Sequence, residues 1–123
     1  MGPDRHGRWR RVAQALVPQV PAPPFEPDAL DALDAPVRSF FAAAIAPGTP
    51  LARAVRLTIR GEIRLGGRWM RFRSHEVLAP TSGLVWWGRV AGVVSGGDYA
   101  VDGAGRLEWR LLGLRRVAFA EGP

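Results

Sequence analysis

The stretch from Leu51 to Leu78 does most to limit what this chain can fold into. Val55, Leu57, Ile59, Gly61, Ile63 and Leu65 alternate with Arg56, Thr58, Arg60, Glu62 and Arg64. Period two sustained over that length predicts a strand with one apolar and one polar face. Gly66-Gly67 follows, a pair that accepts positive φ and suits a two-residue turn. Arg68-Trp69-Met70-Arg71-Phe72-Arg73 is the second arm. With the two glycines as the loop, Leu65 faces Arg68, Ile63 faces Met70 and Gly61 faces Phe72. On the polar side Arg64 faces Trp69, Glu62 faces Arg71 and Arg60 faces Arg73. The first two polar pairs are favourable, a guanidinium over an indole and an opposite-charge pair. The third is like-charged.

Charge is distributed unevenly. All 17 basic residues are arginine, and the net charge is +6. Residues 49–73 hold seven arginines against one glutamate, so the hairpin is the basic part of the molecule. A basic sheet face attracts nucleic acid or anionic lipid. Cysteine is absent and only His6 and His75 are present, which excludes thiolate and most histidine metal sites.

Met1 to Pro27 reads as a flexible Arg/Pro-rich arm. Arg8, Arg10 and Arg11 flank Trp9, and Pro18 to Pro24 favours extended polyproline geometry. Gln14 and Pro18 interrupt the apolar run Val12 to Val17 too early for a secretory signal. No stretch reaches the ~20 apolar residues of a membrane span. The expected location is therefore cytoplasmic. The folded domain is expected over residues 28–123.

Asp28 to Ile45 reads as helix, in one or two pieces. Asp34 suits an N-cap, with Pro36 just inside. Val37, Phe40, Phe41, Ala44 and Ile45 form an apolar stripe, expected to lie against the dry face of the sheet. After the hairpin the second arm continues through Ser74-His75-Glu76-Val77-Leu78. That register puts Ser74 and Glu76 on the apolar side, where a carboxylate needs a partner, water or a raised pKa. Leu84 to Val90 is a third strand whose adjacent Trp86 and Trp87 point to opposite faces. Gly92 to Gly97 reads as a flexible link, Asp98 to Val101 as a short strand and Asp102 to Gly105 as a turn. Arg106 to Leu114 is the last long strand, with Arg115 to Ala120 extending it after a bend at Gly113.

Reaction motifs are few. Asp102-Gly103-Ala104-Gly105 lacks the ligand ladder of a calcium loop. Gly103-Ala104-Gly105 precedes a strand, so it is no dinucleotide fingerprint. His75 and Glu76 are strand neighbours and project to opposite faces, so they form no dyad. Glu76, Asp98 and Asp102 remain free to converge in space.

The order of these elements resembles an uncharacterised bacterial family, largely actinobacterial, known only as a domain of unknown function. The segments that carry the resemblance are Ala35-Pro36-Val37-Arg38-Ser39-Phe40, Val55-Arg56-Leu57 with Arg60-Gly61-Glu62, and Trp69 to Glu76. Leu84-Val85-Trp86, Asp98 to Gly105 and Leu111-Leu112-Gly113-Leu114 complete it. Members continue past the Ala120-Glu121-Gly122 seen here, so the chain resembles an N-terminal half. The resemblance implies a curved antiparallel sheet around helices, similar to lipoprotein-carrier half-barrels. It implies no catalytic residue.

The expected fold is α+β, an antiparallel curved sheet of about five strands packed on one N-terminal helix. The leading functional reading is a non-enzymatic module that holds an apolar or lipid-like ligand through Glu76, Trp86, Phe72, Met70 and Phe40. The alternative is nucleic-acid binding through Arg56, Arg60, Arg64, Arg71 and Arg73, with Trp69 for stacking. A hydrolase using Glu76 with Asp98 or Asp102 is the third reading. No cofactor is expected. A homodimer is expected through the Arg106–Leu114 edge, because a bare strand edge invites pairing.

Overall fold

A computed structural model describes His6 to Pro123. Two compact units divide it. Helix α1 (Gly7–Leu16) belongs with Ala54–Pro123, and Gln19–Arg53 form the other unit.

The larger unit is built on six antiparallel strands in sequence order: β1 (Val55–Leu65), β2 (Arg68–Ala79), β3 (Gly83–Val90), β4 (Val94–Val101), β5 (Ala104–Leu111) and β6 (Arg115–Gly122). The fold is α+β, with one more strand than expected. The β1–β2 register is the expected one throughout, from Leu65 opposite Arg68 to Arg60 opposite Arg73. Gly66 and Gly67 turn the chain with φ of 54° and 80°. The same pair of left-handed residues recurs at Asp102-Gly103, again a two-residue hairpin whose geometry matches strand twist, and at Leu112-Gly113, within the three-residue loop that ends at Leu114.

The turn at Leu112 accounts for the extra strand. The chain does not bend and continue at Gly113. It folds back, and Arg115–Gly122 pairs with β5 as β6. The Arg106–Leu114 segment is therefore no free edge, since β5 is bonded on both sides. The edges are β1 and β6, and the sheet is open and uncurled where a curved half-barrel was expected.

The stretch read as a flexible link is also strand. Ser95, Gly96 and Gly97 are buried within β4. Their small size makes room for tryptophans on both faces. A Cβ on Gly97 would collide with the Trp86 carbonyl oxygen and meet Trp87 Cβ at 2.8 Å, and one on Gly96 would collide with the Glu108 carbonyl oxygen and lie 2.7 Å from Trp109 Cα and 2.9 Å from its ring. Gly96→Ala should thus lower the unfolding free energy by about 1–3 kcal/mol, as overpacking does. Urea denaturation measures it, and an unchanged midpoint would show that the β5 backbone beside Gly96 yields freely.

Helix α1 lies within the expected flexible arm. Trp9, Val12, Ala13 and Leu16 recur at helical spacing and make one apolar stripe, with Arg8, Arg10 and Arg11 elsewhere on its surface. Trp9, Ala13 and Leu16 pack with Val77, Ala79, Val85 and Trp87 to form the core. The Trp9 ring also meets Tyr99 with centroids 6.1 Å apart. Within this unit the helix that covers the sheet is α1, and it covers the face that carries the arginines.

In the smaller unit, Pro27–Leu30 is a 3-10 turn and α2 spans Ala35–Ala44. Asp34 stands at the N-cap of α2 without a side-chain hydrogen bond. Packing contacts of α2 are with the 3-10 turn, and none of its residues is buried. Phe25 and Leu30 are buried here, and the Phe25 N–H donates to the Thr49 carbonyl at 2.7 Å. No helix among the described residues is long and apolar enough to cross a membrane.

Candidate functional site

Register assigns every strand residue to one of two faces, because directly opposed residues of an antiparallel pair share a face. On the face opposite α1 lie Val55, Leu57, Ile59, Ile63 and Leu65 of β1. Met70, Phe72 and Leu78 of β2 follow, then Leu84, Trp86 and Val90 of β3, and Leu107, Trp109 and Leu111 of β5. These residue types normally form a core. Yet Val55, Leu57, Ile63 and Leu65 are exposed, and Met70, Phe72 and Trp86 are half-buried.

Toward the middle of this face stand Glu76, Asp98 and Ser74, all polar. Glu76 stands directly across from Trp86, and Trp86 directly across from Asp98, so the indole lies between two carboxyls on three successive strands. Burial, and secondly the charge of Glu76, push the Asp98 carboxyl above its ordinary range. Ser74 is fully buried on this face, and its Oγ has no hydrogen-bond partner. Trp86 contacts Trp109 at 5.3 Å between centroids. A medium of this kind accepts an apolar body and offers acceptors to a polar end.

Of the expected ligand residues, the sheet brings Glu76, Trp86, Phe72 and Met70 onto one face. Phe40 belongs to the other unit, on α2, where it is 67% exposed with its ring edge-on to Phe41. Asp98 joins Glu76, and its place was legible only as one of three acids free to converge. Asp102 does not join; it forms the β4–β5 turn.

The other face carries Arg56, Arg60, Arg64, Trp69, Arg71 and Arg73, as their alternation requires. Glu62 reaches Arg71 at 3.9 Å. Arg64 and Trp69 stand opposite each other without forming the expected ring contact, and Trp69 is 67% exposed. An open groove of about 740 Å³ lies among Arg60, Glu62, Arg71, Arg73, His75 and Arg89. Arg89 and His75 were missed from sequence. Only the β2–β3 register, set by the loop at Pro80-Thr81-Ser82, puts Arg89 opposite Arg73.

A third polar cluster has a structural role. Glu108, 7% exposed on β5, accepts hydrogen bonds from Arg110 Nε at 2.6 Å, Arg106 Nη2 at 2.7 Å and Arg8 Nη1 at 3.2 Å. The Arg106 hydrogen bond, joined by that of Arg110 and the charge of both, outweighs burial and holds the Glu108 carboxyl down at about 2. Arg106 is itself raised. Arg8 belongs to α1, so this cluster ties the helix to β5. Among the described residues no group of three or more His, Cys, Asp or Glu is placed to hold a metal ion.

The fold and its two contrasting faces define a sheet-based α+β domain. The chain belongs to a family of unknown function, DUF6544, whose model matches residues 23–123. No curated protein and no solved structure matches it.

Proposed function

We propose that this protein is a non-enzymatic binding module that takes an apolar or amphipathic ligand, such as a lipid, on the sheet face opposite α1. The observation that carries this is the row Glu76–Trp86–Asp98 set within an exposed apolar face. Exposed apolar area of this extent on a soluble surface is a mark of ligand or partner binding. Two carboxyls beside an indole give such a ligand an orientation, with its donor groups toward Glu76 and Asp98 and its chain along Leu57, Phe72 and Met70.

Native mass spectrometry of the purified chain, followed by titration with a panel of fatty acids, lysophospholipids and sterols, tests this. A co-purifying or added ligand should bind with quenching of tryptophan emission. Trp86→Ala should weaken it by about tenfold or more, a loss of about 1.4 kcal/mol. Trp69→Ala, on the other face, should leave it unchanged. No ligand retained and none bound from the panel would remove the reading.

Nucleic-acid binding has less support. Along β1 the arginines Arg56, Arg60 and Arg64 are interrupted by Thr58 and by Glu62, a carboxylate that would face the phosphates. A strand of nucleic acid needs an unbroken basic track.

A further inference from the structure

Three arginines stand in a single row across β1, β2 and β3. Arg60 is directly opposite Arg73, and Arg73 directly opposite Arg89. Like charges at directly opposed positions repel. Such a row is ordinarily relieved by carboxylates, yet Arg60, Arg73 and Arg89 make no ion pair among the described residues. Glu62, the one carboxylate lining the groove, reaches instead toward Arg71 in the neighbouring row. The contrast with Glu108 is direct: there one carboxylate gathers three arginines, and here three arginines gather nothing.

We propose that this row is a binding site for a compact, multiply charged phosphate, on the sheet face opposite the apolar one and independent of the ligand proposed there. Guanidinium forks match phosphate oxygens bidentately, and a bridging dianion converts the repulsion into charge-assisted hydrogen bonds. Neighbouring strands lie about 4.8 Å apart, so the row spans about 10 Å of backbone, a separation that long arginine side chains can close around one compact anion. His75 stands in the next row, and where Thr58 donates to its Nδ1 its Nε2–H is left as a donor. Its Nδ1 lies 3.4 Å from Thr58 Oγ1 and its ring lies against Trp87, which hold the imidazole at the edge of the groove. The same chemistry is presented by a soluble diphosphate and by a lipid phosphomonoester headgroup.

Calorimetry of the full chain with inorganic pyrophosphate and with orthophosphate, at about 50 and 200 mM salt, is the first arm. Co-sedimentation with phosphatidylcholine vesicles, with and without phosphatidate, is the second. Pyrophosphate should bind at least tenfold more tightly than orthophosphate and lose affinity with salt. Binding to phosphatidate vesicles that pyrophosphate displaces would identify a headgroup source; pyrophosphate binding without vesicle binding would identify a soluble one. Arg73→Gln and Arg89→Gln should each weaken binding about tenfold or more, whereas Arg38→Gln on α2, the same change of charge, should not. Removing a repelling charge should also leave the melting temperature of Arg73→Gln equal to or above that of the wild type. Binding of neither phosphate nor vesicles would overturn the proposal. So would equal losses in Arg73→Gln and Arg38→Gln, or a lowered melting temperature in Arg73→Gln. Tighter binding of single-stranded DNA than pyrophosphate, weakened equally by Arg56→Gln and Arg64→Gln, would also overturn it in favour of a nucleic-acid track.

Discussion

Trp9→Ala is expected to lower the unfolding free energy by about 3–5 kcal/mol, the range for removing a buried large side chain. Trp9 is 4% exposed and is the largest residue by which α1 engages the sheet. Its loss leaves Val12, Ala13, Leu16 and the Arg8–Glu108 pair to hold a ten-residue helix, and helices of that length do not persist in water without packing. Val77, Val85 and Trp87 then lose their cover. Urea denaturation should show the lower midpoint, and limited proteolysis should cut within α1 before it cuts the sheet. A variant as stable as wild type would show that the helix contributes nothing to the fold.

Glu108→Gln is expected to cost about 3 kcal/mol or more, because it leaves Arg106 and Arg110 around a neutral amide in a buried site. The acid limb of the stability profile separates this from simple packing loss. The Glu108 carboxyl falls from its usual 4.5 to about 2 in the folded protein. A depressed carboxyl contributes stability that is fully present above the unfolded value and is lost as pH falls through the folded one. Wild type should therefore weaken between about pH 4.5 and 2, and the difference between wild type and Glu108→Gln should shrink over that window. Asp98 acts in the opposite sense: its carboxyl is raised, so its ionisation weakens the fold as pH rises. Since Asp98 is common to both proteins, subtracting one profile from the other isolates Glu108. A difference that stays constant from pH 7 to 2 would remove the ion cluster from the explanation.

The first hairpin was fully legible because three signals agree: period-two patterning, a Gly-Gly turn and matched arm lengths. Face assignments followed from it, and they correctly placed Glu76, Met70 and Phe72 on the apolar side and separated Trp86 from Trp87. Helix α1 was hidden because its stripe of Trp9, Val12, Ala13 and Leu16 is only two turns long and sits between arginines and prolines. Strand β4 was hidden because Ser95-Gly96-Gly97 has the composition of a linker, and its glycines are explained only by the tryptophans that lie over them from neighbouring strands. Strand β6 was hidden because Leu112, a bulky residue at φ 53°, occupies a turn position that normally signals itself with Asn, Asp or Gly. The arginine row needed two registers at once, and one of them depends on a loop whose length does not fix its geometry.

The nearest-neighbour order of the sheet also sets a sequence of events during folding. Every strand pairs only with the one before and the one after it, so each hairpin closes a short loop and the sheet can grow by zipping from any of its turns. Helix α1 is the exception. Arg8 and Glu108 are 100 residues apart, and the ridge that receives Trp9 exists only once β2, β3 and β4 lie side by side. Helix α1 thus precedes the sheet in the chain yet docks only after β2, β3 and β4 have paired, and until then its tryptophan has nothing to pack against.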